Sequence, residues 1–360
     1  MKEIANIINE YNSLVVTSTK LALATVIDVK GSSYRRTGAR MLIQDNGVYH
    51  GGISGGCIEG NALKKAHLAM SKNKAIEVTY DTSKDDEAEI GVSLGCSGVI
   101  TVLITPIDIN DKNNPVEQLR LCIDRRQASI LITVIEADPE LDIVAGQSFK
   151  YSSDAGLREF FRDSYQSEME NDVKDLLISG KSKIKTYNNY KLFLEVIPPA
   201  IQIIMMGSNY DVYPLLKIAD SLSWRSVVVA NPKRLATNIH RLANQVVTDF
   251  SDVIIDEFTV GVLMSHDYNA DLKNLQKALA SNLQYIGLLG PASRKADMLE
   301  DLPAGIDKFN KERIFGPAGL DIGAAQPEEI AVSIVSEILC VMRSRSGSSL
   351  RDRQGPIYER

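Results

Sequence analysis

Residues 198–207, PPAIQIIMMG, divide the chain into two parts with different sequence patterns. Neither Pro198 nor Pro199 can continue a helix or donate to a central strand, so the pair predicts a domain boundary. The apolar run that follows has the length of a buried strand and ends on a glycine. The predicted domains are residues 1–198, residues 199–345 and a tail of residues 346–360.

Beyond this boundary the chain alternates between strand and helix patterns. Apolar runs at 226–231, 260–266 and 285–290 are typical of buried strands, and helical patterns separate them. A last helix is predicted from Pro327 to about Met342, with proline in its first turn. This β-α alternation predicts a doubly wound parallel sheet, a Rossmann-like domain.

The first half mixes strands, a hairpin and helices. The runs 21–29 and 98–107 are apolar and rich in β-branched residues, which predicts buried strands. Asp-Asn-Gly at 45–47 is a hairpin signal, and 62–73 has helical periodicity. A long charged helix is predicted near 155–179. We expect a mixed α+β domain before the Rossmann-like one.

Composition excludes several classes of protein. The 360 residues include 40 basic and 46 acidic side chains, a net charge of −6, which disfavours binding to nucleic acid. The four cysteines form no C-x-x-C pair, which argues against a disulfide scaffold and a zinc finger. No apolar run approaches the roughly 20 residues of a membrane span, and the start lacks a signal-peptide pattern. We expect a cytoplasmic protein without a membrane partner.

Two cysteines lie among glycines. The stretch HGGISGGCIEGNAL (50–63) frames Cys57 with Gly55 and Gly56, and GVSLGCSGVI (91–100) surrounds Cys96. Glycines let a backbone approach a ligand closely, and a position before a helix favours the thiolate. The alternative is a glycine-rich turn with small buried thiols. Two such segments in one domain favour sulfurs that face one pocket.

An arginine-serine turn precedes these segments. GSSYRRTGAR (31–40) contains Ser32, Ser33, Arg35 and Arg36. Hydroxyl and guanidinium groups in such a turn suit phosphate or another anion. A solvated surface turn is an equally good interpretation.

Taken in order, GSSYRRTGARM, GGISGGCIEGNAL and LGCSG resemble the hallmark segments of the XdhC/CoxI family, the accessory proteins of molybdenum hydroxylases of the xanthine dehydrogenase type. In the second half, LMSHDYNADL, YIGLLGPASRK and GPAGLDIGAAQPEEIAVSIVSEIL agree with the same family. The similarity spans residues 15–107 and 200–357.

This resemblance implies a chaperone that binds molybdenum cofactor and delivers it to an apo-hydroxylase, rather than a catalyst. It makes Cys57 and Cys96 the expected cofactor ligands, with possible bonds to molybdenum, because soft thiolates suit a thiophilic metal. The turn containing Ser32 and Arg35 would then take the phosphate of the pterin. The implied partners are a molybdenum hydroxylase, with a sulfurtransferase and a second copy of the chain as further candidates.

The second domain lacks a dinucleotide fingerprint. After its first strand the sequence is GSNYDVYP, with Asn209 and Val212 where the second and third glycines of G-x-G-x-x-G belong. The second strand ends at Asn231 instead of a ribose-binding acid. The sequence therefore disfavours NAD and FAD as ligands.

Other residues near strand ends are ligand candidates. Ser293 and Arg294, with Lys295, could meet an anion, and His266 ends a neighbouring strand. A structural role for His266 is the alternative. We expect these groups and the two cysteines to share one cleft between the domains. The competing functions are a nucleotide-dependent oxidoreductase or transferase that acts on the pterin, and an adaptor without cofactor contact.

Overall fold

The computed structural model describes residues 1–15, 19–81, 98–123, 125–303 and 311–354. Contacts divide the chain into a first unit, Met1–Pro199, and a second unit that begins at Ala200. In the parts of the chain that are described, no helix combines the length and apolar character needed to cross a membrane.

The first unit contains a five-stranded antiparallel sheet with the order β3-β2-β1-β5-β4. Its strands and the two helices that accompany it in sequence are α1 (Lys2–Leu14), β1 (Leu21–Gly31), β2 (Arg40–Gln44), β3 (Tyr49–Gly51), α2 (Glu59–Lys72), β4 (Ile76–Asp81) and β5 (Gly98–Ile107).

The apolar runs of the sequence form the central strands of this sheet because both of its faces are covered. On one face, Ala62, Ala66 and Ala69 of α2 pack against Met41 and Val102 of the strands. On the other face, the isoleucines of α1 pack against leucines of β1 and β2. A strand covered on both faces is apolar throughout instead of alternating.

The rest of the first unit is a four-stranded antiparallel sheet with the order β7-β6-β9-β8. Its elements are α3 (Pro115–Arg120), β6 (Ser129–Ala137), β7 (Ser148–Lys150), α4 (Asp154–Phe161), α5 (Glu168–Ser179), β8 (Lys183–Thr186) and β9 (Tyr190–Ile197).

The single long helix predicted near 155–179 is wrong, because α4 and α5 are separate. Between them, residues 162–164 form a 3₁₀ turn in which Arg162 has a positive φ of 45°. The Ser164 hydroxyl donates to the Phe161 carbonyl at 2.6 Å, a local hydrogen bond that ends the helix. The break lets Phe161 and Met169 enter the same apolar cluster.

The second unit is built on a six-stranded parallel sheet with the order β12-β11-β10-β13-β14-β15. Its elements are β10 (Gln202–Met206), α6 (Val212–Ser221), β11 (Arg225–Val229), α7 (Thr237–Leu242), β12 (Gln245–Val247), β13 (Thr259–Leu263), α8 (Tyr268–Ala280), β14 (Ile286–Leu288), α9 (Ala292–Glu300), β15 (Ile314–Phe315) and α10 (Pro327–Met342).

Helices cover both faces of this sheet. On one face α6 and α10 pack through Leu215 and Ile334, together with the buried Trp224. On the other face α8 and α9 pack through Leu279 and Met298. The strand order is that of a doubly wound dinucleotide-binding fold, so the predicted fold class is confirmed.

Candidate functional site

Several chain segments converge at one end of the five-stranded sheet. Gly31 at the end of β1 pairs with Gly98 at the start of β5. Arg40 starts β2 at this same end, and Gly51 ends β3 there, opposite Met41. The arginine-serine turn and the first glycine-cysteine segment are separate in sequence. The antiparallel strand order brings them to the same end of the sheet.

Glycines allow close backbone contacts at this end of the sheet. A Cβ at Gly98 would overlap the backbone carbonyl of Ser32, so only glycine permits this approach. A Cβ at Gly55 would lie 3.3 Å from the Tyr34 ring. The turn Ser32–Tyr34, the loop Ser54–Cys57 and Gly98 thus lie side by side, and we call these three segments the glycine-cysteine end.

The loop that carries Cys57 is organised from within by Ser54 and Glu59. The Ser54 Oγ accepts hydrogen bonds from the amides of Gly56 at 3.2 Å, Cys57 at 3.1 Å and Ile58 at 3.3 Å. The buried carboxylate of Glu59 accepts the Ser54 amide at 2.7 Å and the Ser54 hydroxyl. These loop amides therefore bind the protein's own serine instead of standing open for an anion.

Electrostatics at Glu59 keep it ionised. Burial alone would raise the pKa of this carboxyl, but the hydrogen bonds from Ser54 and the backbone outweigh burial and hold the pKa below its ordinary value. Burial, followed by the nearby Glu59 charge, raises the pKa of Tyr80 to about 12. A buried carboxylate thus anchors the loop just before α2.

Cys57 lies two residues before α2, half-buried against the apolar cluster of Ile53 and Ile58. A position just before a helix N-terminus is the one that favours a thiolate. Cys96 lies outside the described residues. Cys122 contrasts with Cys57, because burial raises the pKa of the Cys122 thiol to about 12. Among the described cysteines, none forms a disulfide.

Two arginines of the arginine-serine turn form ion pairs with carboxylates of the same unit. Arg35 pairs with Glu3, and the buried Arg40 pairs with the buried Glu195. Ser32 is exposed, and Arg36 is half-buried. Ser33 is 6% exposed, and its hydroxyl has no hydrogen-bond partner in the part of the chain that is described. An incoming anion would have to compete with Glu3 for Arg35.

In the second unit, side chains occupy the positions where a dinucleotide fingerprint has glycines. The Asn209 amide donates to the Ser265 carbonyl at 3.0 Å, which ties the loop after β10 to the loop after β13. The exposed Tyr210 donates to Glu328 at 3.2 Å. Asn231 caps a 3₁₀ turn by accepting the Lys233 amide at 3.0 Å.

His266 has a partner that the sequence did not suggest. Its Nε2 lies 2.6 Å from Asp211 Oδ2, and its backbone φ is +60°. The Arg294 guanidinium already has an anionic partner, because its Nη2 donates to Asp271 at 2.8 Å. Lys295 donates to the Ile314 carbonyl at 3.0 Å, and Ser293 is exposed in the first turn of α9.

Sequence reasoning missed the polar residues that support these loops, namely Ser54, Glu59, Asp211 and Asp271. Asp211 precedes α6 at a position where aspartate often caps a helix, although its side chain makes no capping hydrogen bond there. The partners of these four residues are set by tertiary contacts. Within the described ranges, no group of three or more His, Cys, Asp or Glu side chains is arranged to hold a metal ion.

Two protein-family models match the chain. The model of the XdhC and CoxI family matches residues 16–81, which include the loop that carries Cys57. The model of the XdhC Rossmann domain matches residues 203–338, almost the whole parallel sheet.

Two bacterial proteins are similar to this chain over most of its length. A protein of Bacillus subtilis, named as a probable xanthine dehydrogenase subunit, is 29% identical over 335 residues, 91% of this chain and 95% of that protein. The "Molybdenum cofactor insertion chaperone PaoD" of Escherichia coli is 21% identical over 320 residues, 89% of this chain and 82% of that protein.

A solved structure described as a xanthine dehydrogenase from Bacillus halodurans superposes with a TM-score of 0.69 at 24% identity. It covers 96% of this chain and 98% of its own. At 24% sequence identity, this structural similarity supports the assignment of the fold alone.

Proposed function

This chain belongs to the XdhC/CoxI family, and on that premise we propose that it binds molybdenum cofactor as cargo and delivers it to a molybdenum hydroxylase of the xanthine dehydrogenase type. The names of its relatives support a role in the maturation of such an enzyme, since one is a cofactor insertion chaperone. A sulfurtransferase partner and a homodimer stay predictions.

One observation carries the proposal. At the glycine-cysteine end, the turn Ser32–Tyr34 approaches both Gly98 and Gly55, and Gly55 lies two residues before the half-buried Cys57. Gly56 beside it has a positive φ of 109° and open space where a side chain would be. A large ligand can therefore approach the thiol without displacing a side chain at that position.

The groups at this end match the chemistry of the cargo. A cysteine sulfur is a soft ligand, suited to a thiophilic metal such as molybdenum. The exposed Ser32 hydroxyl can donate to a polar group of a bound molecule. Arg35 could exchange Glu3 for a phosphate, since guanidinium binds both anions in the same bidentate manner.

The direct test is retention of molybdenum cofactor through gel filtration, with molybdenum measured by mass spectrometry and pterin by fluorescence. We expect Cys57→Ala to lower the retained fraction at least about tenfold, the loss of one strong ligand contact. Cys340→Ala is the matched control, because it removes a thiol of the second unit. We also expect Cys96→Ala to lower retention.

A chemical readout complements the variants. Iodoacetamide at neutral pH should modify Cys57 far faster than Cys122, whose burial and raised pKa leave little thiolate. Prior alkylation should then abolish cofactor retention in the wild type but leave the small retention of the Cys57→Ala/Cys96→Ala double variant unchanged. Equal retention by the wild type, Cys57→Ala and the Cys57→Ala/Cys96→Ala double variant contradicts the proposal and favours an adaptor without cofactor contact.

Delivery is tested with the purified loaded protein. Mixing it with an apo-hydroxylase should restore hydroxylase activity, and Cys57→Ala prepared in the same way should restore much less. If NAD(P)H is consumed during this reaction, the enzymatic alternative gains support instead.

A further inference from the structure

A cavity of about 680 Å³ lies at the four-stranded sheet of the first unit. Residues of the loop between β6 and β7, of β7 and of α4 line this cavity, which we call the hairpin cavity. Its volume is within the range of small-molecule sites. It belongs to a stretch that neither family model matches, since one model ends at residue 81 and the other begins at residue 203.

Four aromatic rings line the hairpin cavity. The rings of Phe149 and Phe160 are stacked, with their centroids 5.0 Å apart and their planes at 25°. Phe160 meets Phe161 edge-on, and Phe161 meets Tyr190 in the same way, so the four rings form one continuous row. Phe149 and Phe160 are half-buried, which leaves part of their surface accessible. The face of an aromatic ring attracts a cation.

The charged side chains of the lining are mostly acidic. Glu140 and Asp142 belong to the loop between β6 and β7, and Glu159 belongs to α4, and all three are exposed. The lining, all of it in the described part of the chain, contains Arg162 as its one basic residue, so its net charge is −2. A positively charged ligand therefore fits these surroundings.

The chain itself places a guanidinium at this cavity. Arg162 follows the end of α4, and its Nη1 lies 3.8 Å from Asp142 Oδ2 in the loop between β6 and β7. The two side chains are 75% and 95% exposed, and ion pairs of this kind contribute little stability. The guanidinium of a ligand can therefore replace Arg162 beside Asp142 with little loss to the fold.

We propose that the hairpin cavity binds a guanidinium group on an alkyl stem, the chemistry of an arginine side chain. A guanidinium is flat, so it stacks on an aromatic ring while its N–H groups donate to carboxylates, whereas an ammonium is a compact point charge. Phe149 and Phe160 supply the ring surface, and Glu140 and Glu159 supply the carboxylates. An arginine presented by a partner protein and a free guanidine compound share this chemistry. The proposal concerns a site outside the glycine-cysteine end and does not depend on the role of Cys57.

The test uses the full chain and isothermal titration calorimetry at about 20 mM salt, where exposed charges are weakly screened. The first probe is an acetylated and amidated tripeptide with arginine between two glycines. The second has citrulline in place of arginine, so a neutral urea of nearly the same shape replaces the guanidinium. We expect the citrulline peptide to bind at least about tenfold more weakly, because the charge and its attraction to the rings are lost. Butylguanidinium, measured in the same way, represents a free ligand.

The acidic side chains are tested as a pair. Glu140→Gln/Glu159→Gln should weaken binding of the arginine peptide at least about tenfold, because two carboxylate acceptors become neutral amides. The matched control is Glu257→Gln/Glu300→Gln, which changes the net charge by the same amount at two exposed glutamates of the second unit. The control should leave the affinity nearly unchanged.

Two single variants change the affinity in opposite directions. Arg162→Gln should tighten binding by about threefold, because the chain's own guanidinium no longer competes for Asp142. Phe160→Leu keeps the site apolar but removes a ring face, and should weaken binding by about fivefold. Circular dichroism of each variant verifies that the fold is retained.

Each outcome decides the matter. Tighter binding of the arginine peptide than of butylguanidinium supports the proposal with an arginine of a partner protein as the ligand, and the reverse order supports it with a free guanidine compound. Equal affinities for the arginine and citrulline peptides overturn it. So do equal losses in the two glutamate pairs, unchanged or weaker binding in Arg162→Gln, or a Kd above about 10 mM for both guanidinium probes.

Discussion

The glycine-cysteine end of the first unit and the cavity at the carboxyl ends of β10, β13 and β14 in the second unit (the switch-point cavity) use their polar groups in opposite ways. In the first unit, Ser54 and Glu59 accept the amides of the loop that carries Cys57, and Arg40 is paired with Glu195. In the second unit, Asp211 keeps a buried carboxylate oxygen without a partner among the described residues.

This difference should be visible in stability. A buried polar group costs free energy unless it is hydrogen-bonded, so groups satisfied by their own chain contribute stability. The Asp211 oxygen that has no partner among the described residues makes no such contribution. Substitutions of the satisfied groups should therefore lower the free energy of unfolding more than a substitution of Asp211.

The largest effect on stability is expected for the buried ion pair beneath the arginine-serine turn. Arg40→Met leaves Glu195 as an unpaired buried carboxylate and also removes the donor to the Gly38 carbonyl. It should lower the free energy of unfolding by about 3–5 kcal/mol, measured by urea denaturation with circular dichroism.

The matched control for Arg40 is Lys191→Met, which removes ion pairs with Glu77 and Glu136 made by a lysine side chain that is about one quarter exposed. Surface pairs of this kind contribute about 0–1 kcal/mol. Adding Glu195→Leu to Arg40→Met should restore much of the lost stability, because the charge left unpaired is then gone. If Arg40→Met and Lys191→Met lower the free energy of unfolding equally, the buried ion pair does not stabilise the turn.

The next largest effect comes from close backbone approaches in both units. A Cβ at Gly98 would overlap the Ser32 carbonyl, and one at Gly207 would overlap the Met264 carbonyl. Because backbone atoms cannot move aside as a flexible side chain can, Gly98→Ala and Gly207→Ala should each cost about 3 kcal/mol, near the upper end for overpacking.

Circular dichroism follows both units in this experiment, and fluorescence of Trp224, the single tryptophan of the chain, follows the second unit alone. Gly60→Ala is the control, because Gly60 lies in the first turn of α2 with open space around it. Alanine there should be neutral or stabilise by up to about 1 kcal/mol. A neutral Gly98→Ala would contradict the close packing of the glycine-cysteine end.

These residues also mark how far sequence reasoning reaches. The strands at 21–29 and 98–107 and the four central strands of the β-α alternation were predictable, because hydrophobic runs and glycine turns are local signals. The short strands β12 and β15 were not predicted. The break after Phe161 was not, since it depends on a left-handed residue and on shared burial in one cluster.

For the candidate site, local positions were predictable from the sequence, but partners distant in sequence were not. The position of Cys57 before a helix follows from the local sequence. The pairing of Arg40 with Glu195 joins residues 155 positions apart, and the pairing of His266 with Asp211 joins residues 55 apart. Such partners are set by the way sheets and loops pack, which no local pattern encodes. The shared cleft between domains stays a prediction.

A smaller, pH-dependent effect is expected at Glu59. Glu59→Gln removes a carboxylate that accepts several hydrogen bonds, and should cost about 2 kcal/mol at pH 7. Since the folded-state pKa of Glu59 is below its ordinary value of 4.5, its contribution is present above that pH and declines as the pH falls through the folded-state pKa.

Urea denaturation of the wild type and Glu59→Gln between pH 7 and pH 3 measures this dependence. The difference between their free energies of unfolding should shrink toward acid pH. Asp211→Asn is the comparison from the second unit, and its cost at pH 7 should be smaller, because one of its oxygens has no protein partner to lose. A pH-independent difference would contradict the role of the Glu59 charge.

The smallest effect, a shift near zero, is expected when NAD is added. A dinucleotide needs its pyrophosphate against the turn after β10, but there the Asn209 side chain crosses to the Ser265 carbonyl. Asn231, at the position of the ribose-binding acid, caps its own 3₁₀ turn, and no Lys or Arg lines the switch-point cavity to receive phosphate. A bound ligand stabilises the folded state by RT ln(1 + [L]/Kd), so about 1 mM NAD should leave the thermal midpoint of Trp224 fluorescence unchanged, whereas a site of micromolar affinity would add about 4 kcal/mol. Such a stabilisation would show that the side chains after β10 yield to a dinucleotide, and the enzymatic alternative would then replace the chaperone.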